Sequence, residues 1–384
     1  LHKEYRRQRQ MCIRDSRQFF ALPWVQRGTP ELLLIKRAVR ANDNWSSHVA
    51  FPGGRRDEED ENGLYTSMRE TWEEVGIDLA EKEFLHVGHL EDREITSSLG
   101  KRLLMILSPY IFLHLSPFSP TPSLQPSEVS SLHWVPLSQL FTPTPRWGTL
   151  HMDVARHMPQ NSYMRSMLSI LIGQITFRSI QLPNTPTAIT MQMARDHFAH
   201  LAKPPPAKEA EEEEDTFLLN AEQQTYLGEV TPRLQLWGLT LGMTLDLLAH
   251  MSTYQREKPP PEPPTIHALK SFFSILPSSR LFGDAYSSPS KAPSVVEVFP
   301  RFGYPDINLW LWVFGWRYRA ILRKWRQSIG TELERQAHWS GLAIAAFYSC
   351  VRRALIVALV LRAMGLVSLV SLGGYLGWRR LYRL

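Results

Sequence analysis

The sequence predicts an α/β domain followed by a helical, basic and apolar tail. Three observations carry that reading. Apolar runs of strand length and segments of helical periodicity occur together over the first two thirds of the chain. Hydrophobic residues make up 43% and charged residues 21% of 384, which excludes wholesale disorder, a collagen-like chain and a polytopic membrane protein. The charge is uneven. The net charge is +6, but from Thr265 onward 16 Lys/Arg outweigh 5 Asp/Glu, a local +11 that leaves −5 for the rest. An acidic front and a basic tail fit an enzyme-like domain joined to a segment that meets a membrane or another anionic surface. The only cysteines, Cys12 and Cys350, exclude a disulfide-stapled scaffold and favour a reducing, intracellular compartment.

Interpretable structure begins near Phe19. Leu1–Ser16 has no apolar periodicity, and residues 1–17 read as an artefactual leader. The natural N-terminus and any targeting signal are then expected to be missing. Glu31–Ile35 (ELLLI) is a strand-length apolar run, and Ala50–Gly54 (AFPGG) is a breaker-rich turn. Leu64, Met68, Trp72 and Val75 recur at helical spacing, so Leu64–Val75 is predicted as an amphipathic helix stopped by Gly76. Glu83–Leu90 and Leu103–Leu115 read as strands. A Pro/Ser-rich loop, Ser116–Ser127, leads to Leu132–Leu137 (LHWVPL) and a short helix. Leu168–Leu182 reads as strand, and Leu236–Met251 as a strong helix. Between them lies a disordered acidic insertion near 203–216, with the run PPPAKEAEEEED. Residues 256–300 are a Pro/Ser-rich linker, and 301–384 form the tail.

The informative stretch is Gly53–Leu79. Glu70, Glu73 and Glu74 stand at i, i+3 and i+4, so their carboxylates share one helix face. Like charges there repel. A solvated acidic face is the plain alternative, but the arrangement makes sense if Mg²⁺ or Mn²⁺ neutralises it with carboxylate, water and phosphate oxygens. Arg69 can brace a carboxylate, Glu61 lies on the loop feeding the helix, and Gly53–Gly54 can bring backbone close to a metal or phosphate. Asp57–Glu61 lacks the alternating oxygen spacing of a calcium loop.

Here the chain resembles the Nudix box, Gly–x5–Glu–x7–Arg–Glu–U–x–Glu–Glu–x–Gly–U, with U bulky and apolar. Glu61, Arg69-Glu70, Glu73-Glu74, Gly76 and Ile77 match, Thr71 replaces the first U, and Gly54 lies seven residues before Glu61 rather than six. Leu32–Gly54 is similar to the upstream segment of the coenzyme A pyrophosphatase branch. It keeps Leu33, Arg37 and Phe51-Pro52-Gly53-Gly54, with Ala38, Asp43 and Ser47 where that branch has Ser, Arg and Gly. Pro126–Leu137 and Leu236–Leu248 resemble its late acidic segment and closing helix, so the resemblance covers residues 18–255.

The resemblance implies an α/β/α sandwich with a mixed sheet, and hydrolysis of a nucleoside diphosphate linked to another moiety. Coenzyme A or an acyl-CoA is the leading substrate, and ADP-ribose-like or dinucleotide compounds come next. A membrane-tethered module that binds a nucleotide without cutting it is the competing class, disfavoured by the intact acidic set. Glu70 and Glu74, then Glu73, are the expected metal ligands, with the Gly54 carbonyl beside them. Glu61 is a supporting or metal-bridging carboxylate, and Arg69 orients a Glu. Lys36, Arg37 and Arg40 are expected to hold phosphate oxygens, and Phe51 and Gly53 to line the substrate turn. Glu128 completes the metal or base set. His48 is either a general base or an ordinary loop histidine.

In the tail, Ala354–Trp378 is 25 residues with one charge, Arg362, and twelve Leu, Ile or Val. As a helix it spans about 37 Å, enough for a hydrocarbon core of about 30 Å. It is the candidate transmembrane helix, with Arg362 reaching toward one interface. Ile307–Trp325 reads as an amphipathic helix in the membrane plane. The alternative is a helical hairpin packed on the domain. Trp310, Trp312, Trp316 and Trp325 among arginines fit membrane contact more simply than nucleic-acid stacking, so no nucleic-acid partner is expected.

Overall fold

The computed structural model describes residues 17–40, 47–96, 103–140, 146–153, 170–190, 193–194, 216–230, 232–251, 299–328 and 339–382. Residues 1–16 of the leader, Asp43, nearly all of the acidic insertion and almost all of the linker lie outside the described residues.

The elements run α1 (Pro23–Arg27), β1 (Glu31–Arg37), β2 (Val49–Ala50), α2 (Gly63–Val75), β3 (Phe84–His89), β4 (Arg93–Thr96), β5 (Leu103–Leu107), β6 (Tyr110–His114), β7 (Val129–Pro136) and α3 (Leu137–Leu140). Then come β8 (Trp147–Asp153), β9 (Gln174–Leu182), β10 (Ala188–Thr190), β11 (Thr216–Leu218), α4 (Ala221–Val230), β12 (Leu234–Trp237), α5 (Gly238–Met251), β13 (Arg301–Phe302), α6 (Pro305–Phe314), α7 (Trp316–Ser328) and α8 (Trp339–Leu381).

A five-stranded sheet has the order β11-β10-β7-β1-β2, and a second is built on β9, with β12, β13 and β8 along its edges. Strand β1 shows why the chain layers this way. Its residues alternate between faces. Leu34 joins Ile180, Leu236, Leu241 and Leu245 from the second sheet and α5. Ile35 joins Val75 and Ile77 at the end of α2. Both faces are buried, so β1 reads as a continuous apolar run. The α/β class follows: a central sheet with α2 on one side and α5 with the second sheet on the other. Where the resemblance implies a mixed sheet, every strand pair among the described residues is antiparallel. The two sheets approach where β12 lies beside β2.

Helix α2 starts at Asn62, whose side chain accepts the Tyr65 N–H at 2.9 Å, a cap worth about 1 kcal/mol. It stops at Gly76, which takes a left-handed φ of 69° and donates its N–H to the Trp72 carbonyl. The predicted apolar face is corrected. Val75 is buried as expected, but Trp72 is 57% exposed, and Thr66, Thr71 and Glu74 are buried in its place. Thr71 fits inside because its hydroxyl donates to the Ser67 carbonyl of its own helix at 2.6 Å.

Two further elements differ from the sequence reading. Leu234–Trp237 is a strand paired with β9, and Gly238, at φ 61°, turns the chain into α5 only afterwards. Ile307–Trp325 is two helices rather than one, and neither lies free. Ile307 and Leu311 of α6 pack on Cys350, Ala354 and Ala358 of α8. Leu322 and Trp325 of α7, with Ala343 of α8, join the main core. Strand β13 pairs with β9, so packing continues across the boundary expected at residue 300.

Candidate active site

The site forms where the turn after β2 meets α2. Glu74 is 2% exposed, and its Oε2 accepts the Gly53 N–H at 2.9 Å. Burial pushes its carboxyl up to about 7, against the pull of that hydrogen bond and of Arg37. Glu70 and Glu128 add to the rise. Glu70 lies one helical turn earlier. Burial raises its carboxyl too, with Glu73 and Glu128 contributing and Arg69 opposing. A Cβ on Gly54 would lie 2.2 Å from Glu70 Oε2 and 2.6 Å from Oε1, so the carboxylate rests on the glycine and an added side chain would displace it.

Arg69 organises the rest. It donates to Asp60 Oδ1 and Oδ2, each at 2.9 Å, to Glu73 at 2.9 Å, to Glu70 at 3.2 Å and to the Arg55 carbonyl at 3.1 Å. Asp60 is buried, also accepts from the Asp57 N–H and the Thr66 hydroxyl, and is held well below the usual carboxylate range, chiefly by Arg69. Asp60, not Glu61, is therefore the acid that Arg69 holds in this loop. Glu61 is exposed, and its backbone carbonyl accepts from Arg56. The signal was present in the spacing. Gly54 and Asp60 are six apart, as the box's Gly and Glu are, so the extra residue falls between Asp60 and Arg69.

The remaining sequence candidates divide. Arg37 acts on Glu74 from the end of β1, and Glu128 acts on both carboxylates. Arg40 pairs with Glu128 at 2.8 Å and donates to the Ser127 carbonyl. The Glu73 side chain is 54% exposed, accepts from Arg69 at 2.9 Å and acts on Glu70. Lys36 stands on the opposite face of β1 from Arg37, the face of Leu34, where burial lowers its ammonium pKa. Phe51 packs on the main core. The His48 ring sits edge-on to Trp237 at 5.0 Å, and its carbonyl accepts the Arg37 N–H. Ser47 takes a left-handed φ of 62°, at the position that the related segment fills with Gly.

The donor set fits a hard divalent cation. Glu70 and Glu74 are oxygen donors, Glu70 raises the cost of ionising Glu74, and the close-set Gly53–Gly54 backbone lies against both. Among the described residues no three His, Cys, Asp or Glu side chains form a ready-made cage.

An uncharacterized protein of Schizosaccharomyces pombe is 33% identical over 189 residues, 48% of this chain and 56% of that protein. The peroxisomal coenzyme A diphosphatase of Caenorhabditis elegans is 36% identical over 97 residues, 25% of this chain and 38% of the relative. The mitochondrial coenzyme A diphosphatase of Mus musculus is 40% identical over 53 residues, 14% and 25%. The matches thus span between a quarter and just over half of each relative. The NUDIX domain family model matches residues 17–154, which include the whole carboxylate-bearing helix and its glycine turn. This stretch of the chain is a NUDIX domain.

Proposed function

We propose that the protein hydrolyses the diphosphate of a nucleotide-containing substrate with Mg²⁺ or Mn²⁺, and that the substrate is coenzyme A or an acyl-CoA. The single observation that carries the reaction is the Glu70–Glu74 pair, Glu74 buried and Glu70 half-buried, seated on Gly53–Gly54. Glu70 and Glu74, with backbone of the glycine turn, would hold the cation. When bound, it cancels phosphate charge and lowers the pKa of an attacking water.

The chain's own groups do the rest. Gly53 fixes Glu74 through its N–H, and Arg69 fixes Glu70. Arg37 sits close enough to Glu74 to lower its pKa, and so can hold a phosphate oxygen beside the carboxylates. Arg40 is anchored on Glu128. Both arginines would orient the diphosphate. Water adds to one phosphorus while the bridging P–O bond breaks, giving 3′,5′-ADP and 4′-phosphopantetheine from coenzyme A.

The substrate assignment is supported by Arg37, by Phe51–Gly54, and by two relatives named as coenzyme A diphosphatases. Those names, one peroxisomal and one mitochondrial, together with the two cysteines, support an intracellular setting. The test offers coenzyme A, ADP-ribose, NADH and oxidised dGTP with Mg²⁺ or Mn²⁺ and identifies products by mass. Cleavage of coenzyme A between its phosphates is expected. Turnover of ADP-ribose far above coenzyme A would overturn the substrate.

A further inference from the structure

Helix α8 is 43 residues long and changes character partway along. In its first half the buried residues are Ala343, Phe347, Cys350, Ala354 and Ala358, spaced four, three, four and four apart. That is one stripe of a helix, and α6, α7 and the main core cover it. The next position on the stripe is Arg362. It pairs with Asp306 at the start of α6 through two bonds at 2.8 and 2.6 Å, donates to the Leu171 carbonyl, and lies 4.4 Å over the Tyr304 ring. There the stripe ends. Every residue from Ala363 to Leu376 is exposed. Met364, Leu366, Val367, Leu369, Val370 and Leu372 are each at least 54% exposed.

We propose that α8 is a half-docked anchor: its first half packs on the domain, and the segment from Leu361 to Trp378 sits in a lipid bilayer, with the Arg362–Asp306 pair at the boundary. A protein partner or a second copy would cover one face of a helix. Here the exposed apolar residues point all round, which suits a solvent rather than a partner. The most apolar window of the candidate span Gly341–Leu376 has a mean hydropathy of 2.4, and only 6% of that window is buried, unlike a helix in the core of a folded domain. From Leu361 to Trp378 the helix is about 27 Å long, close to the hydrocarbon depth of a thin bilayer. Tyr375, Trp378 and Tyr382 lie ring to ring along the far end, with Arg379 among them, as interfacial aromatics and cations do. Arg362 would be costly in lipid. Its four contacts show how the cost is avoided: the charge is neutralised by Asp306 and stays with the protein. The domain would then stand on the membrane through a continuous helix rather than a loose tether.

The test uses the full chain and vesicles of phosphatidylcholine with phosphatidylglycerol. The wild type should float with the vesicles and resist carbonate extraction. Leu366→Asp with Val370→Asp should lose flotation at least tenfold while keeping its diphosphate hydrolysis. Leu342→Asp, exposed on the docked half, should float like the wild type. A wild type that stays in the soluble fraction, or a double variant that still floats, would overturn the proposal. So would a detergent-free soluble oligomer that the double variant converts to monomer, because a second copy would then be the occupant.

Discussion

Arg69 grips Asp60 through two parallel hydrogen bonds, Nε to Oδ1 and Nη2 to Oδ2, both 2.9 Å long. The same guanidinium reaches Glu70 and Glu73, so Asp60 sets where Arg69 stands and Arg69 sets where Glu70 stands. Asp60→Asn should lower kcat/KM with Mg²⁺ by about 10- to 100-fold, the scale for a residue that orients a metal ligand. Glu61→Gln should stay within about twofold of wild type, as expected of an exposed side chain without a structural role. Steady-state kinetics on the two variants decides between the residues, and the reverse order would show that Glu61 does the bracing.

The two glycines of the turn should separate on substitution. At Gly54 the obstacle is Glu70 itself, 2.2 Å from an added Cβ. Gly54→Ala should displace the carboxylate and cost about 100-fold in kcat, as small misplacements do. At Gly53 nothing lies within 4 Å, but φ is 141°. Gly53→Ala should therefore show first as a lower melting temperature, through backbone strain of about 1–3 kcal/mol. Parallel thermal melts and kcat values check the contrast.

Glu74 links stability to pH and metal. Its folded carboxyl titrates near 7, above the ordinary 4.5. The stability this gives is fully present below about 4.5 and is lost as pH rises through about 7. In chelator, the melting temperature should fall between pH 5 and 8, and Mg²⁺ should restore more of it at pH 8 than at pH 5. Asp60 works in the opposite sense, but only below its ordinary value near 4, outside this window. Glu74→Gln should make both slopes shallower. Melts of equal steepness in the two proteins would contradict the assignment.

Ser47 holds a left-handed backbone at φ 62°. An L-residue there costs roughly 1–2 kcal/mol, partly offset in a Ser→Gly exchange by the greater freedom of glycine when unfolded. Ser47→Gly should raise stability by about 0.5–1 kcal/mol in urea melts with an unchanged slope. A loss of stability would show that the Ser side chain earns its place.

The parts of the site legible in the sequence are those set by local spacing. Glu70 and Glu74 share a face because i and i+4 do, and Gly76 stops the helix because only glycine takes its φ easily. The spacing offers two acids to Arg69, Asp60 at six residues after Gly54 and Glu61 at eight residues before Arg69, and the choice between them depends on how the loop closes over Thr66. Lys36 and Arg37 likewise look equivalent in sequence, and strand alternation sends them to opposite faces. Leu236–Trp237 reads as the start of a helix in sequence but lies in strand β12, because its pairing with β9 is a tertiary contact. In the tail, composition identified an apolar helix. It could not show that α6 and α7 cover only its first half, or that Arg362 finds Asp306.

The most direct test of metal-dependent catalysis on the Glu70–Glu74 face is coenzyme A hydrolysis by wild type and Glu74→Gln, with Mg²⁺ added after chelation. Wild-type protein should release 3′,5′-ADP and 4′-phosphopantetheine only when Mg²⁺ is restored. Glu74→Gln should turn over at least about 100-fold more slowly, on the scale of losing a main charge-stabilising group, with its circular dichroism unchanged. Full activity in Glu74→Gln, or equal wild-type activity in chelator, would contradict the account.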